Sequence, residues 1–205
     1  MFYRPKDGHG LPHDPFKAIV APRPIGWIST LDAQGRANLA PYSFFNGCGD
    51  HPPLVMFAQS GRKTREVAMK DTIANVRATG EFACNIVSQT LAQAMNETSG
   101  NYPNGEDEFA RAGLTKAAGT AIAAPHVAEA PAVLECRTVR ILDNLPSFHD
   151  DQFNIMVVGE VVGVHIDESW LKDGLLDVTA YSPIARMGYM DYTTIQDRWA
   201  MKRPG

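Results

Sequence analysis

The chain has 205 residues, 44% of them hydrophobic, and a formal net charge of −4, with 19 Lys and Arg against 23 Asp and Glu. Its cationic residues are scattered, which argues against nucleic acid as a partner, and neither a membrane span of ~18 apolar residues nor a signal peptide is present. With three widely spaced cysteines and no CxxC pair, we expect a single domain (residues 1–205) in the reducing cytoplasm, without a metal site, a nucleic-acid partner or a membrane partner.

The predicted elements are mainly β. Apolar runs bounded by turn residues predict strands at 25–31, 37–45, 54–58, 81–87, 133–142 and 153–166. Short helical segments are predicted between them: one capped by Asp71 or Thr72 and ended by Gly80, one capped by Ser88, and one turn at 109–112 ended by Gly113. Because the strands show no βαβ rhythm, an antiparallel barrel with helical insertions is favoured over a doubly wound sheet. No GxGxxG or GxxxxGK[ST] motif is present, which disfavours a Rossmann or P-loop nucleotide site.

The last predicted strand is apolar on both faces. Ile155 and Val157 alternate with Met156 and Val158, and the pattern continues to Val164. A strand of this kind is covered on both sides. A second subunit and a helix of the same chain are both compatible with this pattern.

One candidate binding segment runs from Asn38 to Asn46. Alternation places Asn38, Ala40 and Tyr42 on one face of a strand, whereas Pro41 lacks an N–H and suits an edge. Small, aromatic and amide residues in this mixture could lie beside a flat ring with polar edges. An ordinary edge strand with aromatic core residues is equally compatible.

A second candidate is the helix start at Lys70-Asp71-Thr72. Helix N-termini present unpaired N–H groups and a positive dipole end, so they bind anions. Lys70 and the Thr72 hydroxyl would complete a phosphate site, although a plain cap with a solvated lysine fits as well. Arg23 and Arg186 would add charge only if the fold brings them close.

No acid–base or metal machinery is recognisable. HExxH and GxSxG motifs are absent, and His149-Asp150-Asp151 is more typical of a polar loop than of a metal site. We therefore predict no catalytic side chain, as is expected where a cofactor carries the chemistry.

Several short motifs follow one another along residues 15–190. They are Arg23-Pro-Ile-Gly-Trp-Ile-Ser-Thr30, Gly35-Arg-Ala-Asn-Leu-Ala-Pro-Tyr-Ser-Phe-Phe-Asn46, Lys70-Asp-Thr72, Thr79-Gly-Glu-Phe82, Asn85-Ile-Val87, Asp107-Glu-Phe109 and Leu134-Glu-Cys136. Their number and order resemble the flavin reductase-like family of FMN-binding split barrels. Two departures are that Tyr189 follows Gly188, where the family commonly has a second glycine, and that Ser60-Gly-Arg-Lys-Thr64 is not the commonest form of its loop.

The resemblance implies a six-stranded antiparallel split β-barrel with short helical insertions, which forms a homodimer and binds FMN near the subunit interface. It also implies that two segments line the isoalloxazine and ribityl groups and that the helix start and Ser60 hold the phosphate. The implied cofactor-binding residues are Arg23, Trp27, Ile28, Ser29, Thr30, Asn38, Ala40, Tyr42, Ser43, Phe45, Asn46, Ser60, Lys70, Asp71, Thr72 and Arg186.

The function implied is that of an FMN-dependent oxidoreductase, a flavin reductase that passes hydride from NAD(P)H to flavin. Free flavin would be a further substrate, and an oxygenase a candidate acceptor of the reduced product. Hydroxyls such as those of Ser29, Thr30 or Ser43 would stabilise negative charge on the reduced ring. Two alternatives are an FMN electron-transfer protein reduced by a partner and a non-catalytic flavin-binding module.

Overall fold

The computed structural model describes residues 1–61, 69–148 and 154–205. Its strands are β1 Arg23–Pro24, β2 Gly26–Leu31, β3 Ala37–Tyr42, β4 Phe45–Asp50, β5 Pro53–Ser60, β6 Glu81–Asn85, β7 Lys116–Ala117, β8 His126–Val127, β9 Ala132–Leu145, β10 Asn154–Ile166, β11 Leu171–Lys172, β12 Leu175–Leu176, β13 Ile184–Arg186 and β14 Tyr192–Thr194. Its helices are α1 Phe16–Ile19, α2 Asp71–Thr79, α3 Ala92–Glu97, α4 Glu108–Arg111 and α5 Val178–Tyr181, with 3₁₀ turns at Pro5–Asp7, Gln89–Leu91 and Glu168–Trp170.

Seven strands form the main sheet, in the order β3-β2-β6-β9-β10-β5-β4, and every neighbouring pair is antiparallel. The mainly β class is confirmed, but the prediction of six strands is wrong in number. The predicted strand 37–45 ends at Tyr42, and the chain then bends and forms β4. β4 carries Gly47 and Gly49 and is exposed beyond its first residue, so its sequence has no apolar alternation that would predict it.

The main sheet curls back on itself. Tyr42 on β3 and Phe57 on β5 belong to strands that are not neighbours in the sheet, yet their ring centroids lie 4.9 Å apart. The ring of Phe82 on β6 also packs against the ring of Phe57, with the ring centroids 5.2 Å apart. These three buried rings form the centre of the concave face, and α2 covers one end of it through Ile73 and Val76.

The convex face has a core of its own. Trp27 and Ala83 alternate with the concave residues Ile28, Phe82 and Cys84, as the two-residue period of a strand requires. The segment from residue 87 to 130 folds over this face and contributes the side chains of Met95, Phe109, Ile122 and Val127, among others. Strands β2 and β6 are therefore buried on both sides.

A buried carboxylate fixes part of that covering segment. The Glu135 side chain on β9 has no exposed surface and accepts hydrogen bonds from the Thr120 N–H (2.7 Å), the Ala121 N–H (2.5 Å) and His165 Nε2 (2.6 Å). Burial opposes ionisation, but the hydrogen bonds from Thr120, His165 and Ala121 outweigh it and hold the pKa of Glu135 below its usual value.

The outer surface of β9 and β10 carries exposed apolar side chains interspersed with the charged residues Arg137, Arg140 and Glu160. Val139 is 56% exposed and Val164 58% exposed, whereas Ile155 and Val157 on the opposite face of β10 are buried. The predicted strand 153–166 is present as β10, although its first predicted residue, Phe153, lies outside the described residues, and the expected covering of its outer face is not seen at Val164. Within the described residues, no helix has both the length and the apolar character needed to cross a membrane.

Candidate functional site

The start of α2 differs in one respect from the prediction. Lys70, not Asp71 or Thr72, occupies the N-cap position, with extended backbone angles (φ −73°, ψ 149°). Its carbonyl accepts hydrogen bonds from the Ile73 and Ala74 N–H groups, but an ammonium group has no lone pair with which to cap the first turn. The predicted end at Gly80 is confirmed, with a left-handed backbone (φ 73°).

Gln59, which the sequence motifs did not single out, ties β5 to this helix start. Its side chain is 1% exposed; Nε2 donates to the Gly61 carbonyl at 2.8 Å, and Oε1 accepts from the Lys70 N–H at 3.3 Å. Ser60 is therefore held near Lys70, on the exposed end of β5. Residues 62–68, which include the Arg62–Thr64 part of the predicted loop, lie outside the described residues.

Three predicted residues meet in a buried cluster beneath the first turn of α2. Asn38 Nδ2 donates to Thr72 Oγ1 at 2.9 Å, and both side chains are buried. The Tyr42 hydroxyl lies beside Thr72 and has no hydrogen bond of normal geometry within the described residues. Burial raises the pKa of Tyr42 well above its usual value, so the hydroxyl remains protonated and can donate.

Asn38 and Thr72, but not Tyr42, line a first cavity of about 140 Å³, which lies along β3 and the start of α2. Asn38, Ala40, Lys70, Asp71 and Thr72 all contribute to its wall. The Lys70 ammonium lies over the Tyr42 ring, 5.3 Å from its centroid. The donors (an ammonium, a hydroxyl and the N-terminus of a nine-residue helix) are those that bind phosphate.

The donor set therefore fits the tail of FMN. The observation that points to an anionic ligand is the donor set itself, since an ammonium, a hydroxyl and the N-terminus of α2 converge on one cavity. The volume suits a phosphate and part of a ribityl chain rather than a whole tricyclic ring. The cavity also has two carboxylates, Asp71 and the buried Glu108, whose Oε2 accepts from the Leu39 N–H at 3.1 Å.

A second cavity of about 370 Å³ adjoins the first, and Pro41 and Ser99 line both. The structure brings Arg23, Ser43 and Arg186 into the wall of this second cavity. Arg23 on β1 pairs directly with Arg186 on β13. The two arginines therefore lie close to each other in the fold, and both line a cavity. That cavity is not the one that Lys70 and Thr72 line.

Four predicted residues on β2 line neither cavity with their side chains. Trp27, Ile28, Ser29 and Thr30 have no exposed surface. Trp27 Nε1 donates to Thr98 Oγ1 at 2.8 Å, and the Ser29 hydroxyl donates to the Pro125 carbonyl at 2.6 Å. The Thr30 hydroxyl accepts from Asn75 at 3.0 Å. Their contact with a flavin ring stays a prediction, while their role in the core is visible.

The last predicted residues lie around the edge strand. Phe45 is partly buried against the concave core, and its ring occupies the space above Gly26, where an added Cβ would meet it at 2.6 Å. Asn46 is exposed on β4, where its Oδ1 accepts from the Gly47 N–H. Both stand beyond the bend after Tyr42, outside the two cavities.

Comparison with known proteins gives a consistent result. Residues 20–184 match the family described as the flavin reductase like domain. An uncharacterised protein of Deinococcus radiodurans is 37% identical over 194 residues, covering 91% of this chain and 82% of that protein.

Two crystal structures show the same fold. Nitrilotriacetate monooxygenase component B from Bacillus cereus is 28% identical, with a TM-score of 0.87 and 98% of each chain covered. The 2-nitrobenzoate 2-nitroreductase of Pseudomonas fluorescens is also 28% identical, with a TM-score of 0.78 over 92% of this chain and 88% of that one.

Proposed function

The chain belongs to the flavin reductase-like family, and from this premise we propose that it is an FMN-dependent oxidoreductase that takes hydride from NAD(P)H. The observation that carries the proposal is the donor cluster at the start of α2, where Lys70, Thr72 and the helix N-terminus meet at one cavity and Asn38 donates to Thr72. Bound FMN would supply the two-electron redox chemistry.

The side chains of the first cavity would bind and orient the cofactor. The Thr72 hydroxyl accepts from Asn38 and lies on the cavity wall, where it would donate to a phosphate oxygen of the bound cofactor. Lys70 would supply the opposing charge, and Gln59 fixes its backbone by accepting from the Lys70 N–H. Asp71 lines the cavity and Ser60 ends β5, and we expect both to orient the loop around the phosphate.

Ser43 is the predicted hydroxyl that remains available to the reduced ring. It lines the second cavity, whereas the hydroxyls of Ser29 and Thr30 already hold core hydrogen bonds. We therefore assign the stabilisation of negative charge on the ring to Ser43 and to backbone N–H groups of the adjoining strand.

A homodimer is part of the proposal. Val139 and Val164 are exposed apolar residues on the two longest strands of the sheet, and exposed apolar side chains of this kind are often covered at protein interfaces. Reduced flavin would pass to an acceptor such as an oxygenase; the similarity to a monooxygenase component supports this. All three cysteines are free thiols, which supports a cytoplasmic location.

The test begins with the absorbance spectrum of the freshly purified protein and chromatographic identification of the released flavin. Stopped-flow mixing of FMN-loaded protein with NADH and with NADPH follows. Rapid bleaching with turnover of excess FMN supports the proposal. Bleaching only by a reduced protein donor supports an electron-transfer flavoprotein, and no bleaching with tight FMN binding supports a non-catalytic flavin module.

A further inference from the structure

Within the described residues, the charged side chains that line the second cavity are all cationic. Lys17, Arg23 and Arg186 line it together with polar and aromatic residues, and its wall includes no carboxylate. None of the three cations is within 4 Å of a carboxylate in the part of the chain that the structure describes. Its volume of about 370 Å³ falls in the range of roughly 300–1,000 Å³ found for small-molecule sites.

Arg23 is a buried charge whose hydrogen bonds, within the described residues, go to backbone carbonyls. Arg23 is 5% exposed, and its guanidinium donates to the carbonyls of Lys17, Val20 and Met187. Nε is buried and has no hydrogen-bond partner within the described ranges. Burial and the nearby charge of Arg186 lower the pKa of Arg23, which means that its positive charge is poorly compensated where it stands.

Arg186 is fixed on the cavity wall by its own hairpin. Its guanidinium donates to the Tyr189 carbonyl at 2.5 Å and lies over the Tyr192 ring, 4.5 Å from the centroid. Tyr189 adopts a left-handed backbone (φ 54°), which bulky residues rarely do and which is often found at binding sites. Arg186 is therefore a cation held by a backbone carbonyl and an aromatic ring, and its other N–H groups could bind an oxyanion.

We propose that the second cavity binds the oxyanion group, a phosphate or a carboxylate, of the small molecule that exchanges electrons with the flavin. Arg186 and Lys17 would contact the anion directly, and Arg23 would act as the fixed charge behind them. Because Pro41 and Ser99 line both cavities, an anion bound here places the rest of its molecule beside the cofactor site. The electron-exchange role rests on the proposed function; the anion site itself does not.

The experiment is calorimetric titration with inorganic pyrophosphate and, separately, with benzoate. Pyrophosphate represents the phosphates of a dinucleotide, and benzoate represents an aromatic carboxylate acceptor. The titrations use protein saturated with FMN and are repeated on flavin-free Lys70→Gln protein, in which the first cavity attracts phosphate less. We expect at least one of the two anions to bind, and the one that binds more tightly identifies the source of the oxyanion.

Two variants and a control assign the binding to the cavity. Arg186→Gln and Lys17→Gln should each weaken the anion by roughly tenfold to a hundredfold, as expected for one charge-assisted hydrogen bond. Lys172→Gln, on the exposed β11, should change the affinity by less than about twofold. The FMN affinity of the same variants, measured by quenching of flavin fluorescence, shows whether either residue also contacts the cofactor.

The outcomes separate the two proposals. If neither anion binds, or if the control loses as much affinity as the cavity variants, the inference is overturned. Loss of FMN affinity in Arg186→Gln as large as the loss of anion affinity would also overturn it, because Arg186 would then hold the cofactor. If the flavin-free protein binds the anion but the protein does not bind FMN, the anion site in the second cavity is supported and the proposed function is contradicted.

Discussion

Replacing Thr72 by valine removes one oxygen from the buried cluster at the start of α2 and keeps the side-chain shape. Thr72 is 1% exposed and accepts from Asn38 at 2.9 Å. A buried donor left unsatisfied costs about 1–3 kcal/mol, so we expect this loss in the free energy of unfolding. If Thr72 also donates to the FMN phosphate, the charge-assisted bond of about 1.5–3 kcal/mol is lost too, and the Kd for FMN rises roughly tenfold to 150-fold.

The assay compares FMN with riboflavin, which lacks the phosphate. Quenching of flavin fluorescence gives both affinities for the wild type, Thr72→Val and Lys70→Gln, with Thr79→Val at the opposite end of the same helix as the control. Riboflavin affinity should change by less than about threefold in every variant, since no phosphate contact is involved. It therefore also reports whether each variant is folded.

Equal losses of FMN and riboflavin in Thr72→Val and Lys70→Gln would refute the reasoning, because the two residues would then support the fold or the ring rather than the phosphate. Unchanged FMN affinity in both variants would refute it as well. A loss in Thr79→Val matching that in Thr72→Val would show a general effect of the helix.

Three further predictions concern the fold and the assembly. Glu135→Gln should lower the free energy of unfolding at pH 7 by about 1–3 kcal/mol. Because the pKa of Glu135 is depressed in the folded protein, its contribution to stability is complete above the ordinary pKa of about 4.3 and is lost as the pH falls below that value. The free energy from urea unfolding should therefore depend less on pH in this range for the variant than for the wild type. Gly159→Ala should cost about 1–3 kcal/mol in the same assay, since its Cβ would lie 2.4 Å from the Phe82 ring, whereas Gly47→Ala, whose nearest contact would be 3.9 Å away, should be nearly neutral. Val164→Glu should halve the mass measured by sedimentation velocity if the exposed face of β10 is a subunit interface, and an unchanged mass would contradict that assignment.

The strands that the sequence predicted share one property: each packs apolar side chains on at least one face. β2, β6 and β10 lie within a residue or two of their predicted bounds because their alternation reflects burial. β4 was missed because hydrogen bonds to β5 define it rather than burial, and its glycines carry no pattern. The short β1–β13–β14 sheet was missed for a related reason, since its strands have only two or three residues each.

The candidate site was predictable where a local motif creates it. Lys70 and Thr72 were singled out by their position at a helix start, and the structure places them with Asn38 in one cavity. The split between the two cavities was not predictable, because it depends on the pairing of Arg23 with Arg186, which are distant in sequence. Gln59 was missed although a signal exists: it follows Val55 and Phe57 on the buried face of β5, where a polar side chain must find partners.

The most direct measurement is a crystal structure of the protein grown with FMN. The account predicts a phosphate within hydrogen-bond distance of Thr72 Oγ1 and of the first-turn N–H groups of α2, with Lys70 beside it. A phosphate bound elsewhere, for example between Arg23 and Arg186, with the first cavity unchanged, would contradict the account.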